Sequence, residues 1–596
     1  MELNYKKNNN KVLFNNFLDK ELLNLENPQN YIPIYDNFFS LNDKNYNSIN
    51  LNNKYSLVEI KKKISENKYL CIVLDENKNL KEIESFFKLS PLLDTVKYLA
   101  GKYDINDNNL YNLPKINNNE NVNEKFVDKN NASYVDGFFY FLSSKLLNTY
   151  NFPHGLDYYG SFLGIKHDYH VNICDDIEFL EEKDFFYKNL NESFNFINPE
   201  YEDMINCDSR KNKKKLNFAE EDIEMEIEFD EIIESVDDKM DNNIELLSNI
   251  NLITDANNVL IDDNDNDAMD NDAMDDDSHL SKKSKSTNST CSSRSSVTDM
   301  GESDSDNDNN ITNDDDDDDH DMNSDIDSDI ESSSSEDIDE IMIKIKRFPI
   351  QVIALEQCQN TFDSLLMDGD IKDDELGSII VQILMILITY QKLFSLTHND
   401  LHTNNIMYVH TDKKYIYYKY NDKHYKIPTY GKIFKIIDFG RAIYKINDKI
   451  ICSDSFHKDG DAATQYNCEP YYDDSKTKIE PNYSFDLCRL GCSMLDFINE
   501  IYDEENINCK KKRRNISSIH KIIMNWCNDD KGQNILYKSD GEERYPDFKL
   551  YKMIARKVHT HEPGKELQNK YFNKFICSKK EINKNAKIFN IDTISI

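Results

Sequence analysis

Residues 221–339 set the first limit on what this chain can fold into, because they are too acidic to share a core with the rest. They contain DDDDDD at 314–319 and SDIDSDIESSSSEDIDE from Ser324, and the chain of 596 residues has a formal net charge of −39. A stretch so charged and so poor in large apolar side chains buries too little surface to offset its chain entropy, so disorder is expected there. One basic serine island, SKKSKSTNSTCSSRSS (281–296), lies within it. Patterned sequence stands on both sides, so the tract is expected to interrupt one folded unit and to leave and re-enter it at neighbouring points.

On the near side, residues 1–54 are Asn-rich with short apolar clusters and read as a partly ordered arm. YLCIVLDENKNLKEIESFFKLSPLL (69–93) reads as strand, DENKN turn and strand. YVDGFFYFLSSKLLNTY (134–150) places Val135, Phe138, Phe139, Leu142, Leu146 and Leu147 near one helical face. GLDYYGSFLGIKHDYHVNI (155–173) has the composition of a hairpin. Beyond the tract, IKRFPIQVIALEQC (345–358) reads as a strand. IIVQILMILITY (379–390) falls short of the roughly 20 residues a bilayer span needs and reads as a buried core helix. The twelve cysteines form no CxxC pair, which favours a reducing, intracellular compartment, and the N-terminus has no apolar signal region.

The chemistry concentrates in HNDLHTNN (398–405), where His398, Asp400 and Asn405 follow directly on a helix. A loop so placed can hold one carboxylate near an acceptor hydroxyl and an amide five residues on near a metal. Asp438, in IIDFGRA (436–442), ends an apolar strand and can present a second carboxylate to Mg²⁺ bridging nucleotide phosphates. A third phrase, SFDLCRLGCSMLDF (484–497), puts Asp486 at a helix start. In this order and context the three phrases resemble the catalytic lobe of the protein-kinase-like superfamily. With its Asn-rich segments, long insertion and the phrases NFPHGLDYYGSFLG (151–164) and HNDLHTNNIMY (398–408), the chain is similar to kinase-like proteins of giant DNA viruses.

The resemblance implies an α+β, bilobal protein-kinase-like fold that uses ATP and Mg²⁺. It implies residues 55–190 as the first part of a small β-rich lobe and 191–344 as an acidic insertion in it. Residues 345–561 then hold the end of that lobe, the hinge and a large helical lobe, and 562–596 form a tail. Asp400 would orient the acceptor and take its proton, Asn405 and Asp438 would hold Mg²⁺, and His398 and Asp486 would fix the loop. Lys88, in FFKLSP (86–91), would bind phosphate, and Glu356, Gln357 and Cys358 would offer backbone groups to an adenine. The resemblance also points to the cytoplasm of a host cell, or a virion, as the location.

The chain departs from that pattern in four places. No GxGxxG precedes Lys88, and DENKN is expected where a phosphate-covering loop should stand. The helix at 134–150 has no glutamate, leaving Asp136 to pair with Lys88. Asn399 replaces the usual loop arginine, with Arg441 as its substitute. His402 makes the loop HxDLHxxN, a form similar to small-molecule kinases of the aminoglycoside and choline type. Three activities therefore stay open: foremost a serine/threonine kinase with a protein substrate, then a pseudokinase scaffold, then a small-molecule kinase. The acidic insertion could take phosphate on its serines or attract a basic partner. Nucleic acid and membrane partners are not expected, since the basic run KKKRR (510–514) is too short to offset the acid.

Overall fold

The computed structural model describes residues 1–117, 119–198, 341–369, 371–504, 516–539 and 541–595. The acidic tract at 221–339, its serine island and the basic run at 510–514 lie outside the described residues. The described residues belong to one compact unit. Its architecture is mixed α+β, β-rich in the N-terminal half and helical later.

The N-terminal half is built on one antiparallel sheet. Its strands are β1 (Leu25–Gln29), β2 (Tyr55–Ser65), β3 (Lys68–Asp75), β4 (Leu80–Pro91), β5 (Tyr158–Asn172), β6 (Phe194–Phe196) and β7 (Met342–Glu356). They lie in the order β1-β5-β7-β4-β3-β2, with β6 alongside the first half of β7. Phe196 pairs with Ile343, so the described residues on either side of 199–340 lie next to each other in the sheet. Strand pairing thus begins at Met342, inside the span assigned to the insertion.

Burial along β7 follows its sequence. Apolar residues alternate from Met342 to Lys346, where only one face is covered, and become continuous from Phe348 to Leu355, where both faces are covered. Two further expectations change. The GLDYYGSFLG segment forms the single 15-residue strand β5 instead of a hairpin, because it pairs along its length with β7, from Tyr158 opposite Leu355 to Asn172 opposite Met342. Residues 1–54 pack against the sheet: Leu25–Gln29 adds its edge strand, and Phe17 meets Phe162 with ring centroids 4.9 Å apart.

Helix α1 (Ala132–Tyr150) packs close against this sheet. Gly137 permits the approach, since a Cβ there would lie 2.1 Å from Gln351 Nε2. The helix is buried nearly all round, with Tyr134, Tyr140 and Phe141 as enclosed as the residues on its predicted face. Its far side carries the next layer: Phe139 contacts Tyr390 and Phe439 at centroid distances of 5.1 and 4.3 Å.

Helix α2 (Asp373–Phe394) runs through the core of the second half. Among the described residues it is the one helix long and apolar enough to cross a bilayer, and 94% of its apolar window is buried inside the protein. Strands β8 (Ile406–His410) and β11 (Lys432–Ile436) pair antiparallel behind it. The sequence between them forms a hairpin, β9 (Tyr415–Tyr420) with β10 (Lys423–Pro428). The C-terminal strands β12 (Ile576–Cys577) and β13 (Ile588–Asn590) flank that hairpin, so residues 562–595 pack as part of the body. Helices α3 (Phe485–Glu504) and α4 (Phe548–Lys557) complete the frame around the site.

Candidate active site

Helix α2 ends at Ser395 in the left-handed conformation, φ 49°, and the chain turns directly into the loop at 397–405. Thr397 and Ile443 exchange backbone hydrogen bonds of 2.9 and 3.0 Å, which fixes the loop's entry. Its crossing is held by Asp486, fully buried at the start of α3. The carboxylate accepts the His398 N–H at 3.0 and 3.1 Å and the Asn399 N–H at 2.9 Å. Asn399 needs this support because it sits at φ 65°. His398 is a brace: Nε2 donates to the Ile437 carbonyl at 2.8 Å, which leaves Nδ1 to accept the Asp400 N–H at 3.3 Å.

Asp400 lies at the floor of the site, 7% exposed. Tyr551 donates its hydroxyl to Oδ1 at 2.8 Å, and Arg441 Nη1 stands 3.7 Å from Oδ2. Burial alone would raise the carboxyl pKa, but the charge of Arg441 above all, then His402 and Arg489, with the Tyr551 hydrogen bond, takes it down to about 2. His402 is held down to about 4 by burial, against the pull of Asp400, so it is neutral at pH 7. Asn405 donates Nδ2–H to the Asp400 carbonyl at 2.9 Å, which turns its amide oxygen the other way.

Lys88, on β4, reaches two carboxylates at once: Asp136 Oδ2 at 2.8 Å and Asp438 Oδ1 at 2.9 Å. Asp136 is therefore the acid on α1 that meets the lysine, and its other oxygen accepts the Phe439 N–H at 2.7 Å. Tyr140, one turn further along α1, accepts the Asp438 N–H at 2.8 Å. Asp438 itself adopts φ 62°, a strained backbone held by these contacts. Burial, opposed by Lys88, raises Asp136 to about 6, whereas Lys88 outweighs burial at Asp438 and lowers it. Helix α1 is tied down at its first turn as well, where Asp454 accepts the Ala132 N–H at 2.8 Å and pairs with Lys125 at 3.2 Å.

Two cavities meet at Lys88 and Asp438. The first is an apolar cleft between Leu156, Leu355, Met407 and Ile437. It has Glu356 to Gln359 at one end and Lys88, Asn405 and Asp438 at the other. The second is polar, lies between the start of α1 and residues 454–461, and has Asp400 and Arg441 in its wall. An apolar slot ending in a lysine and a carboxylate suits a flat base with a phosphate tail, and a polar chamber beyond it suits a second substrate.

The strand-end residues fall into two groups. Glu356 does not offer its N–H to the cleft: that group donates to the Asp157 carbonyl at 2.9 Å, and its carboxylate pairs with Lys435 at 2.7 Å. Gln357 and Cys358 line the cleft, and their backbone groups hydrogen-bond to no other group among the described residues. Burial pushes the Cys358 thiol up to about 12, so it lines the wall as an unreactive group.

The DENKN turn stands away from the cleft. The strand pair β3/β4 has Leu74 opposite Leu80 at the DENKN end and Lys68 opposite Phe86 at the cleft end. The turn nearest the cleft is Glu66-Asn67, between β2 and β3; the Asn67 carbonyl accepts the Phe87 N–H at 2.7 Å, and Lys68 lines the cavity. The displacement reflects β2, an 11-residue strand whose start the sequence signals weakly.

Among the described residues, no group of three or more His, Cys, Asp or Glu side chains is arranged to hold a metal. The available donors suit Mg²⁺, which takes one or two protein oxygens and completes its shell from phosphates and water. Asp438 Oδ2 makes no hydrogen bond among the described residues, and the Asn405 oxygen is turned away from the loop.

Sequence reasoning passed over Tyr140, Arg489 and Tyr551. The first two carry a signal, since Tyr140 is four residues after Asp136 and Arg489 three after Asp486, hence on the same helical faces. Tyr551 carries none, being 151 residues from Asp400. No family model matches the chain, and no curated protein matches it.

Proposed function

We propose that the protein is an ATP-dependent phosphotransferase with a bilobal protein-kinase-like fold, most simply a serine/threonine kinase acting on a protein hydroxyl. The sheet and α1 form the small lobe, and the helical second half forms the large one. The observation that carries this reading is the placement of Lys88 between Asp136 and Asp438, at the junction of an apolar cleft and a chamber that reaches Asp400. Nothing in packing alone asks for one buried lysine to serve two carboxylates at the meeting point of two cavities.

In this reading ATP lies in the cleft, its adenine against the free backbone groups of Gln357 and Cys358 and its phosphates toward Lys88. Asn405 and Asp438 would hold Mg²⁺, which when bound neutralises charge on the phosphate oxygens. The acceptor hydroxyl oxygen attacks the γ-phosphorus. The bond from that phosphorus to the β,γ-bridging oxygen breaks, and its electron pair leaves with ADP. The acceptor's proton passes to Asp400. A carboxylate held at about 2 is a weak base, so Asp400 acts mainly by aligning the hydroxyl.

One observation favours a second reading, nucleotide binding without turnover. The turn beside the cleft, Glu66-Asn67, contains no glycine, so its side chains limit how closely phosphates can approach its main chain.

Transfer of label from γ-labelled ATP with Mg²⁺, to the protein itself or to a generic basic protein, separates the two. Transfer by the wild type that is lost in Asp400→Asn and Asp438→Ala supports the phosphotransferase. Nucleotide binding with no transfer by any of the three supports the second reading. Full activity in Asp438→Ala would refute the assignment of Asp438.

A further inference from the structure

The loop HNDLHTNN holds no cation for its aspartate. Asn399 donates to the Arg441 carbonyl and accepts from Tyr466, and His402 turns its Nε2 to Asn405 Nδ2 at 3.1 Å. The groups that face the Asp400 carboxylate come from elsewhere in the fold. Arg441 follows the strand end, Arg489 lies on α3, and Tyr551 lies on α4. Arg489 Nε donates to the Tyr551 oxygen at 3.0 Å, and the Tyr551 hydroxyl donates in turn to Asp400 Oδ1 at 2.8 Å. Tyr551 and Arg489 are buried, 4% and 3% exposed, and Arg441 is partly buried.

The arrangement makes α3 act on the loop twice. Asp486 takes the backbone N–H groups of His398 and Asn399, and Arg489, one turn later on the same helical face, governs the Asp400 side chain through Tyr551. A tyrosine hydroxyl that accepts from a guanidinium becomes a stronger donor, because the bonds polarise one another. Its bond occupies Oδ1 and fixes the carboxylate's rotation. Oδ2 is then the oxygen directed to Arg441 and the polar chamber.

We propose that Tyr551, held by Arg489, is a positioning residue for Asp400, dictating which carboxylate oxygen meets the acceptor hydroxyl. This rests on the phosphotransferase reading of the site. Tyr551 is not the acceptor: its oxygen is enclosed between Arg489 and Asp400, and the cavity that reaches Asp400 does not include it among its walls.

The test uses the full-length chain with γ-labelled ATP, Mg²⁺ and a generic basic protein, comparing wild type with Tyr551→Phe, Arg489→Met, the double variant and Asp400→Asn. Tyr551→Phe removes one oxygen and keeps the ring. The expected result is a kcat about tenfold lower, the rate equivalent of one net hydrogen bond, with KM for ATP unchanged. Arg489→Met is expected to lower kcat in the same way, and the double variant to be no slower than Tyr551→Phe. If Tyr551→Phe lowers the melting temperature, Arg489→Met decides: a lowered kcat with unchanged KM for ATP supports the positioning role, and a wild-type kcat overturns it.

Wild-type kcat in Tyr551→Phe, with transfer lost in Asp400→Asn, would overturn the role of Tyr551 and leave the phosphotransferase standing. Transfer that survives in Asp400→Asn, or is absent from the wild type, would overturn both. Label recovered on Tyr551 by peptide mass spectrometry would also overturn the proposal, since the residue would then be an acceptor.

Discussion

Replacing Lys88 by methionine tests the reading of the charge triad without relying on catalysis. Methionine matches the length of the stem but leaves Asp136 and Asp438 facing each other with no cation between them. At 2.8 and 2.9 Å each pair contributes about 6 kcal/mol of gross attraction at an effective dielectric of about 20. Desolvation offsets most of this, and removing one partner of a buried pair costs roughly 3–5 kcal/mol. Asp136 bears the consequence, being 1% exposed and raised to about 6 even with Lys88 in place. Without Lys88 its pKa rises further. An acid whose folded pKa lies above its unfolded value contributes stability that is present at low pH and lost as pH rises through the folded value. The Lys88→Met protein should therefore lose roughly 2–3 kcal/mol more than wild type between pH 5.5 and pH 8, at about 1.36 kcal/mol per unit. Urea unfolding at the two pH values measures it. Lys88→Met with Asp136→Asn removes the orphaned charge and should recover most of the loss at pH 8. Parallel midpoints for Lys88→Met and wild type at both pH values would refute the triad.

Two further outcomes follow from the same geometry. Asp486→Ala leaves the buried N–H groups of His398 and Asn399 without acceptors, at roughly 1–3 kcal/mol each, so its urea midpoint should fall by an amount equal to about 2–6 kcal/mol; a change below about 1 kcal/mol would mean water replaces the carboxylate. His154, buried between the Phe434 carbonyl and Tyr418, is pushed by burial down to about 3. The unfolded chain binds its proton first, so His154 lowers stability as pH drops below about 6.5, by about 2 kcal/mol at pH 5, and His154→Gln should remove that share of the slope, leaving the share of His402, from a series of urea midpoints.

Much of this protein was legible because the relevant residues are neighbours in sequence. The core helix that leads into His398 and Asp400 and the strand ending at Asp438 lie within runs whose period and turn residues are local properties of the chain. The helix containing Asp136 and the strand containing Lys88 were legible in the same way. The errors lie where local preference does not determine the outcome. The β-rich run after Gly155 is equally consistent with a hairpin or with one long strand, and pairing along β7 made it one strand. The Asn-rich start has too few apolar residues to mark it as core, yet Leu25 and Phe17 find partners in the sheet. The Glu66-Asn67 turn displaced DENKN from the cleft because register, set by β2 and β4 on either side of β3, decides which end of a hairpin meets the site.

The sequence alone determined that an acidic tract would interrupt a folded unit, and that a carboxylate, an amide and a second carboxylate would stand at the ends of a helix and a strand. These follow from charge, from periodicity and from short spacings, which need no knowledge of distant contacts. Only the tertiary structure decided that Lys88 meets Asp136 and Asp438 together, that Glu356 turns to Lys435, and that Tyr551 reaches Asp400 from 151 residues away. The physical reason is that a buried charge must be satisfied by whatever the packed core brings within about 3 Å, and the packing of layers, rather than order along the chain, chooses that partner.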